Sequence, residues 1–85
     1  MKAAVIGCGL IGQKRALALP NSVQLIGCFD EVDSIATNFA KDFNTRAFSS
    51  TQELLTMEAL DFVVIATRHD SLSTIAVAAL NAGKH

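Results

Sequence analysis

The sequence predicts an α/β fold with a parallel sheet, and three observations lead to that prediction. Strand-like apolar runs alternate with helix-like segments along all 85 residues, without a linker, a repeat or a low-complexity stretch. Apolar residues make up 51% of the chain and charged residues 18%, a balance that suits strands buried on both faces. A glycine-rich turn directly follows the first strand-like run.

The first strand, turn and helix contain the most informative motif. Residues 3–6 predict a strand, residues 7–12 (GCGLIG) a turn, and residues 14–19 a helix. A second predicted strand, residues 23–29, leads to Asp30, about 20 residues beyond the turn. A glycine triplet alone is weak support, but this combination is the dinucleotide-binding fingerprint.

Each residue of the turn has its own physical role. Gly7 lets the chain turn sharply off the strand. Gly9 lets the backbone approach a pyrophosphate, and Gly12 lets the helix lie close to the strand. The unpaired N–H groups of Leu10, Ile11 and Gly12, at the positive end of the helix dipole, predict an anion site.

The acidic residue after the second strand predicts which nucleotide binds. Asp30 can accept hydrogen bonds from the adenosine ribose hydroxyls, and with Glu31 it would repel a 2′-phosphate, which favours NAD over NADP. In the alternative interpretation the glycines serve only a tight turn and Asp30 caps the following helix. That alternative must explain four coincident placements at once.

The middle of the chain predicts two helices with a short strand between them. The apolar residues of 31–43 fall on one helical stripe, which core packing explains. Residues 45–48 predict a short third strand. Ser50 with Glu53 three residues later forms a capping-box pattern, so a short helix is expected to begin at Thr51.

The last third predicts a strand at residues 61–67, whose apolar run implies burial on both faces, and a helix at residues 71–82. Right-handed crossovers then favour a partial doubly wound (Rossmann) sheet with strand order 3-2-1-4. The ligand is expected where the order reverses, between the first and fourth strands. The glycine turn and residues 66–69 meet at that edge.

Three stretches, residues 4–12, 63–67 and 78–85, resemble the N-terminal part of the Gfo/Idh/MocA family (glucose–fructose oxidoreductase and inositol dehydrogenase). The resemblance implies that Ala66 and Thr67 approach the cofactor through the backbone. His69 stands where the family often has an asparagine near the cofactor, and Arg68 where it often has proline. The expected cofactor site therefore comprises Gly7, Gly9, Leu10, Ile11, Gly12, Asp30, Ala66, Thr67 and His69.

In that family the next strand ends in a Glu-Lys-Pro motif with the usual catalytic lysine, and a separate substrate domain follows. We therefore expect residues 1–85 to be an incomplete dinucleotide-binding domain, without a catalytic residue of its own. The resemblance implies an NAD-dependent oxidoreductase that acts on a sugar or polyol. A non-catalytic NAD-sensing module and a domain that binds S-adenosylmethionine are the alternatives.

Composition argues against other classes of partner. The net charge of −1 gives no reason to expect nucleic acid or an anionic membrane. Cys8 and Cys28 are predicted to be buried thiols of a cytoplasmic protein rather than a disulfide, and the histidines and cysteines lack the spacing of metal ligands. The fourth strand is expected to present an apolar edge through which the chain self-associates.

Overall fold

The computed structural model describes residues 1–66, which form three strands and three helices in alternation. Predicted elements or site residues that fall in 67–85, among them the last helix, Thr67 and His69, lie outside the described residues. The elements are β1 (Lys2–Ile6), α1 (Leu10–Leu17), β2 (Gln24–Phe29), α2 (Asp33–Asp42), α3 (Thr51–Leu55) and β3 (Phe62–Ile65).

The three strands form a parallel sheet in the order β2-β1-β3, which confirms the predicted α/β class. In the centre, Val5 of β1 pairs with Cys28 on one side and with Val64 on the other. Ala3, Ala4, Val5 and Ile6 are fully buried, as expected for a parallel strand that is covered on both faces. The side chains of β3 are half-buried, and within residues 1–66 this strand pairs with β1 alone.

The predicted third strand, residues 45–48, is reduced to a single parallel bridge between Ala47 and Cys28. The N–H of Cys28 donates to the carbonyl of Arg46, and the N–H of Phe48 donates to the carbonyl of Cys28, both at 2.8 Å. The segment therefore joins β2 on the side away from β1, but it does not extend into a ladder. The predicted order 3-2-1-4 is not confirmed.

Local geometry explains why this segment stays short. Asn44, just before it, has a left-handed backbone with φ of 52°, so the chain is turning as it enters. The Thr45 hydroxyl donates to the Leu25 carbonyl at 3.1 Å, so this residue contacts β2 through its side chain. Ser50 is already the N-cap of α3.

Helices cover both faces of the sheet, and each face has its own apolar cluster. On one face, α3 contributes Leu54 and Leu55, which pack with Ile6 and Phe48. On the other face, Phe39 of α2 packs with Val5 and the two cysteines, and Ala16 of α1 lies against the same cluster. This two-sided packing is the arrangement predicted for a partial doubly wound sheet.

The predicted boundaries of the second and third helices are close to those observed, whereas α1 (Leu10–Leu17) begins inside the predicted turn at residues 7–12 and ends two residues before the predicted end. The second helix spans Asp33–Asp42, slightly less than the predicted residues 31–43. The third begins at Thr51 as predicted, because the Ser50 hydroxyl accepts the N–H of Glu53 at 3.1 Å. Only half of the capping box forms, since the Glu53 carboxylate accepts a bond from the Ser49 hydroxyl at 2.7 Å. Of the helices in residues 1–66, none has the length and apolar character needed to cross a membrane.

Candidate dinucleotide-binding site

The turn after β1 requires glycine at its first position. Gly7 has φ of 98°, a conformation that side chains rarely tolerate. Its N–H donates to the Phe29 carbonyl at 2.8 Å, which continues the pairing of β1 and β2 one residue beyond the strand. The turn therefore starts from a fixed point at the carboxyl edge of the sheet.

The other two glycines of the motif have different surroundings. A Cβ at Gly12 would overlap the carbonyl oxygen of Gly7 and come within 3.4 Å of a Val5 methyl carbon. A Cβ at Gly9 would have no described atom within 4 Å. Packing within the protein therefore explains Gly12 but not Gly9, whose open space is where a close-approaching ligand would lie.

The first turn of α1 presents three backbone N–H groups. The first bond of the helix runs from the N–H of Gln13 to the carbonyl of Gly9 at 3.0 Å, so the N–H groups of Leu10, Ile11 and Gly12 precede it. The N-cap residue is Gly9, and within the described chain no side chain caps this start of the helix. Leu10 and Ile11 have 69% and 59% of their surfaces exposed, so this end of the helix is open.

The basic residues of α1 lie at its other end. Lys14 and Arg15 are in the last turn of the helix, whereas the free N–H groups are in the first. Any attraction for an anion at the first turn therefore comes from the backbone amides and the helix dipole. Direct neutralisation of a phosphate by Arg15, a role its place in the first helix suggests, is not favoured by this geometry.

Asp30 faces the glycine turn from the end of β2. Its Oδ2 accepts the N–H of Cys8 at 2.8 Å, and its Oδ1 accepts the N–H of Val32 at 2.9 Å. Val32 is the N-cap residue of α2, so Asp30 also supports the start of that helix, as the alternative interpretation proposed. Each carboxylate oxygen retains a lone pair with which it can accept another donor, such as a ribose hydroxyl.

The two cysteines are free, buried thiols, as predicted. The Cys8 thiol donates to the Phe29 carbonyl at 3.4 Å, and the Cys28 thiol donates to the Ala36 carbonyl at 3.6 Å. The adjacent Cys28 thiol, followed by burial and the nearby Asp30 charge, raises the pKa of Cys8 well above its usual value. The Cys8 side chain is therefore an inert part of the core in the turn.

The fourth predicted strand reaches the same edge of the sheet. The N–H of Ala66 donates to the Ile6 carbonyl at 2.8 Å, directly beside the start of the glycine turn. The structure thus brings together seven of the predicted residues at one edge: Gly7, Gly9, Leu10, Ile11, Gly12, Asp30 and Ala66. The other two, Thr67 and His69, lie beyond residue 66.

Two other contacts shape this site, and sequence reasoning proposed only the second of them, as a cap on the following helix. The Gln13 side chain donates to the Cys8 carbonyl at 3.4 Å, and the Val32 N–H donates to Asp30. The second contact has a sequence signal, because aspartate often accepts the N–H of the residue two positions ahead. The Gln13 contact depends on how the helix meets the turn and has no such local signal.

The residues present fit a dinucleotide. The uncapped amides suit a pyrophosphate, the open space at Gly9 allows its close approach, and the Asp30 carboxylate stands where an adenosine ribose would follow. Within residues 1–66 no group of three or more histidine, cysteine or acidic side chains is placed to hold a metal ion.

One protein family and several solved structures are similar to this chain. The family described as "Oxidoreductase family, NAD-binding Rossmann fold" (GFO_IDH_MocA) matches residues 1–85. No curated protein matches the chain. Among solved structures, UDP-N-acetylglucosamine 3-dehydrogenase GnnA from Acidithiobacillus ferrooxidans is 35% identical with a TM-score of 0.90, and the match covers 100% of this chain and 28% of that protein.

Two further structures are similar over the same region. Biliverdin reductase from Synechocystis sp. PCC 6803, in complex with biliverdin and NADP+, is 32% identical with a TM-score of 0.91, over 99% of this chain and 27% of that one. GenD2 from gentamicin A biosynthesis, in complex with NAD, is 29% identical with a TM-score of 0.96. That match covers 100% of this chain and 25% of GenD2. The chain thus spans about a quarter of the length of these structures. With a family match that runs its full length, the chain belongs to the Gfo/Idh/MocA oxidoreductase family and is an NAD-binding Rossmann domain.

Proposed function

We propose that this chain is the cofactor-binding part of an oxidoreductase that transfers hydride between a sugar or polyol and NAD. The observation that carries the proposal is the uncapped first turn of α1 beside the open space at Gly9, with Asp30 facing the same turn. Bound nicotinamide would supply the hydride chemistry, while the residues of this chain bind and orient the cofactor. Residues 1–85 then form part of the dinucleotide-binding domain, and its later strands, the catalytic group and the substrate domain belong to other parts of a longer cytoplasmic protein.

The substrate class is supported by similarity alone. GnnA is named for a sugar nucleotide, whereas the similar reductase from Synechocystis is named for biliverdin, so family members act on different substrates. We propose a sugar or polyol because the higher identity is to the sugar-nucleotide enzyme.

The preference for NAD over NADP rests on two adjacent carboxylates. Asp30 and Glu31 follow β2, where the 2′-position of the adenosine ribose would lie. Bringing a 2′-phosphate to close range would cost on the order of several kcal/mol, with an effective dielectric constant of about 20. No arginine follows within the next few residues to offset that repulsion.

Calorimetric titration of the chain with NAD, NADP and S-adenosylmethionine tests this proposal. We expect NAD to bind most tightly, NADP to bind at least about tenfold more weakly, and S-adenosylmethionine not to bind. Equal affinities for NAD and NADP would remove the discriminating role of the two carboxylates. Binding of S-adenosylmethionine in preference to both would overturn the assignment to NAD.

We also propose that the isolated chain self-associates along β3. The strand carries four apolar residues, Phe62–Ile65, and within residues 1–66 it pairs only with β1. An apolar strand edge with unpaired backbone groups recruits a second chain. Sedimentation of the chain at increasing concentration should show dimers or larger species, and a single monomeric species at the highest concentration would contradict the proposal.

A further inference from the structure

We propose that Asp30 is a positioning residue that holds the glycine turn in its binding conformation before a nucleotide arrives. This proposal rests on the proposed function, because it concerns the same site. It adds a second role to the carboxylate, which would accept the ribose hydroxyls and also fasten the backbone of the turn. The observation that supports this proposal is the hydrogen bond from the Cys8 N–H to Asp30 Oδ2 at 2.8 Å.

The turn needs such a contact because of its composition. Cys8 stands between Gly7 and Gly9, and glycine restricts the backbone least of all residues. The Cys8 side chain is fully buried, so a rotation of the turn would have to remove it from the core. Its N–H is tied to a residue 22 positions away in the sequence, and a bond to a carboxylate is stronger than one to a neutral acceptor.

A carboxylate is required at this position because both of its oxygens receive backbone N–H groups. Oδ2 accepts from Cys8 and Oδ1 accepts from Val32. An asparagine has one acceptor oxygen, so its NH₂ group would face one of these two donors. Ribose hydroxyls can donate and accept, and an asparagine would still bond to them. Asp30→Asn therefore separates the two roles of the residue.

The proposal changes the expected result of altering cofactor preference at this residue. If Asp30 acted on the ribose alone, Asp30→Ser would lower the affinity for NAD and raise the affinity for NADP relative to that for NAD. If Asp30 also holds the turn, the same substitution releases the Cys8 N–H. The affinities for NAD and NADP then both fall, because both cofactors bind through the pyrophosphate site.

The test compares NAD with an NAD analogue that lacks the 2′- and 3′-hydroxyls of the adenosine ribose. The analogue has no hydroxyl for Asp30 to bind, so any effect of the substitution on its affinity comes through the protein. We expect Asp30→Asn to weaken binding of the analogue by about tenfold, the usual effect of one lost charge-assisted hydrogen bond. An unchanged affinity for the analogue would overturn the proposal.

Asp33→Asn is the matched control. It removes the same charge three residues away, from an exposed position in the first turn of α2. We expect it to leave the affinity for the analogue unchanged. An equal loss in this control would assign the effect to general charge and would overturn the positioning role.

Hydrogen exchange of the nucleotide-free wild-type chain keeps the proposal testable if Asp30→Asn fails to fold, and it does not depend on NAD binding. The Cys8 amide is expected to exchange at least about tenfold more slowly than the free amides of Leu10 and Ile11. Exchange of Cys8 at the same rate as those two amides would contradict the proposal. A failure of NAD to bind would instead contradict the proposed function and leave this measurement intact.

Discussion

Two helices of this molecule begin in opposite ways. At α3 the Ser50 hydroxyl accepts the N–H of Glu53 at 3.1 Å, so the protein itself satisfies the helix start. At α1 the N-cap residue is Gly9, and within the described residues no side chain takes the first amides. Both helices follow a turn and both pack on the sheet, so general helix chemistry does not account for the difference.

The difference indicates where a ligand is expected. A glycine N-cap such as Gly9 stabilises a helix start by roughly a few tenths of a kcal/mol less than a serine or aspartate cap does. That loss is tolerated at α1, where the space beside Gly9 is open and Asp30 faces the turn. At α3 the first-turn residues Gln52 and Glu53 are exposed too, but there the Ser50 hydroxyl accepts the N–H of Glu53.

The largest expected effect concerns the two glycines that flank the first turn of α1. Gly12→Ala should lower the free energy of unfolding by about 3 kcal/mol, because the new methyl group would overlap the Gly7 carbonyl. Gly9→Ala should change it by less than about 1 kcal/mol, because nothing described lies within 4 Å. Urea denaturation of both variants measures this, and equal losses would show that the two glycines do not differ as described.

Adding a cap to α1 should reduce binding without harming the fold. In Gly9→Ser the hydroxyl can accept an N–H of the first turn, as Ser50 does at α3. We expect the free energy of unfolding to rise by a few tenths of a kcal/mol, roughly, and the affinity for NAD to fall about tenfold. Calorimetry and urea denaturation of the same preparation measure both quantities. Retained affinity would mean that these amides do not receive the pyrophosphate.

Removing the cap of α3 is the converse change. Ser50→Ala should lower the free energy of unfolding by about 1 kcal/mol, because the Glu53 N–H loses its acceptor. The affinity for NAD should stay the same, since α3 packs on the sheet face opposite to α1. A parallel loss of affinity and stability would show that the two helix starts are coupled.

The smallest effect concerns pH and the thiol within the glycine turn. The fold raises the pKa of Cys8 above its ordinary value of 9.0 and lowers the pKa of Cys28, so as pH rises the Cys8 thiol itself ionises first in the unfolded chain. The contribution of the Cys8 thiol to the free energy of unfolding is fully present below about pH 9. It declines at higher pH, by less than about 1 kcal/mol at pH 9.5. Thermal unfolding at pH 7 and pH 9.5 should show that stability falls less between these two pH values in Cys8→Ala than in wild type. An equal loss in both would assign the pH effect to other groups.

Local patterns in the sequence were sufficient to predict most of the backbone at this candidate site. The strand, turn and helix from β1 to α1 depend on nearby residues, and the predicted roles of Gly7 and Gly12 are confirmed by a positive φ and a backbone overlap. The start of α3 at Thr51 was predictable for the same reason, because Ser50 and Glu53 are three residues apart.

Contacts between distant segments were not predictable in the same way. Residues 45–48 have the composition of a strand, but the left-handed Asn44 and the Thr45 hydroxyl limit their pairing to one bridge. The bond between Cys8 and Asp30 joins two elements, so neither local segment signals it. The sequence predicted that Asp30 faces a ligand, and the structure adds its bond to the backbone of the turn.

The most direct test of the account is an NMR titration that follows the backbone amides of Leu10, Ile11 and Gly12. The account predicts that NAD shifts these three signals more than any others in the first helix, and that inorganic pyrophosphate alone shifts the same three. Binding of NAD that leaves these amides unshifted would place the pyrophosphate elsewhere and contradict the account.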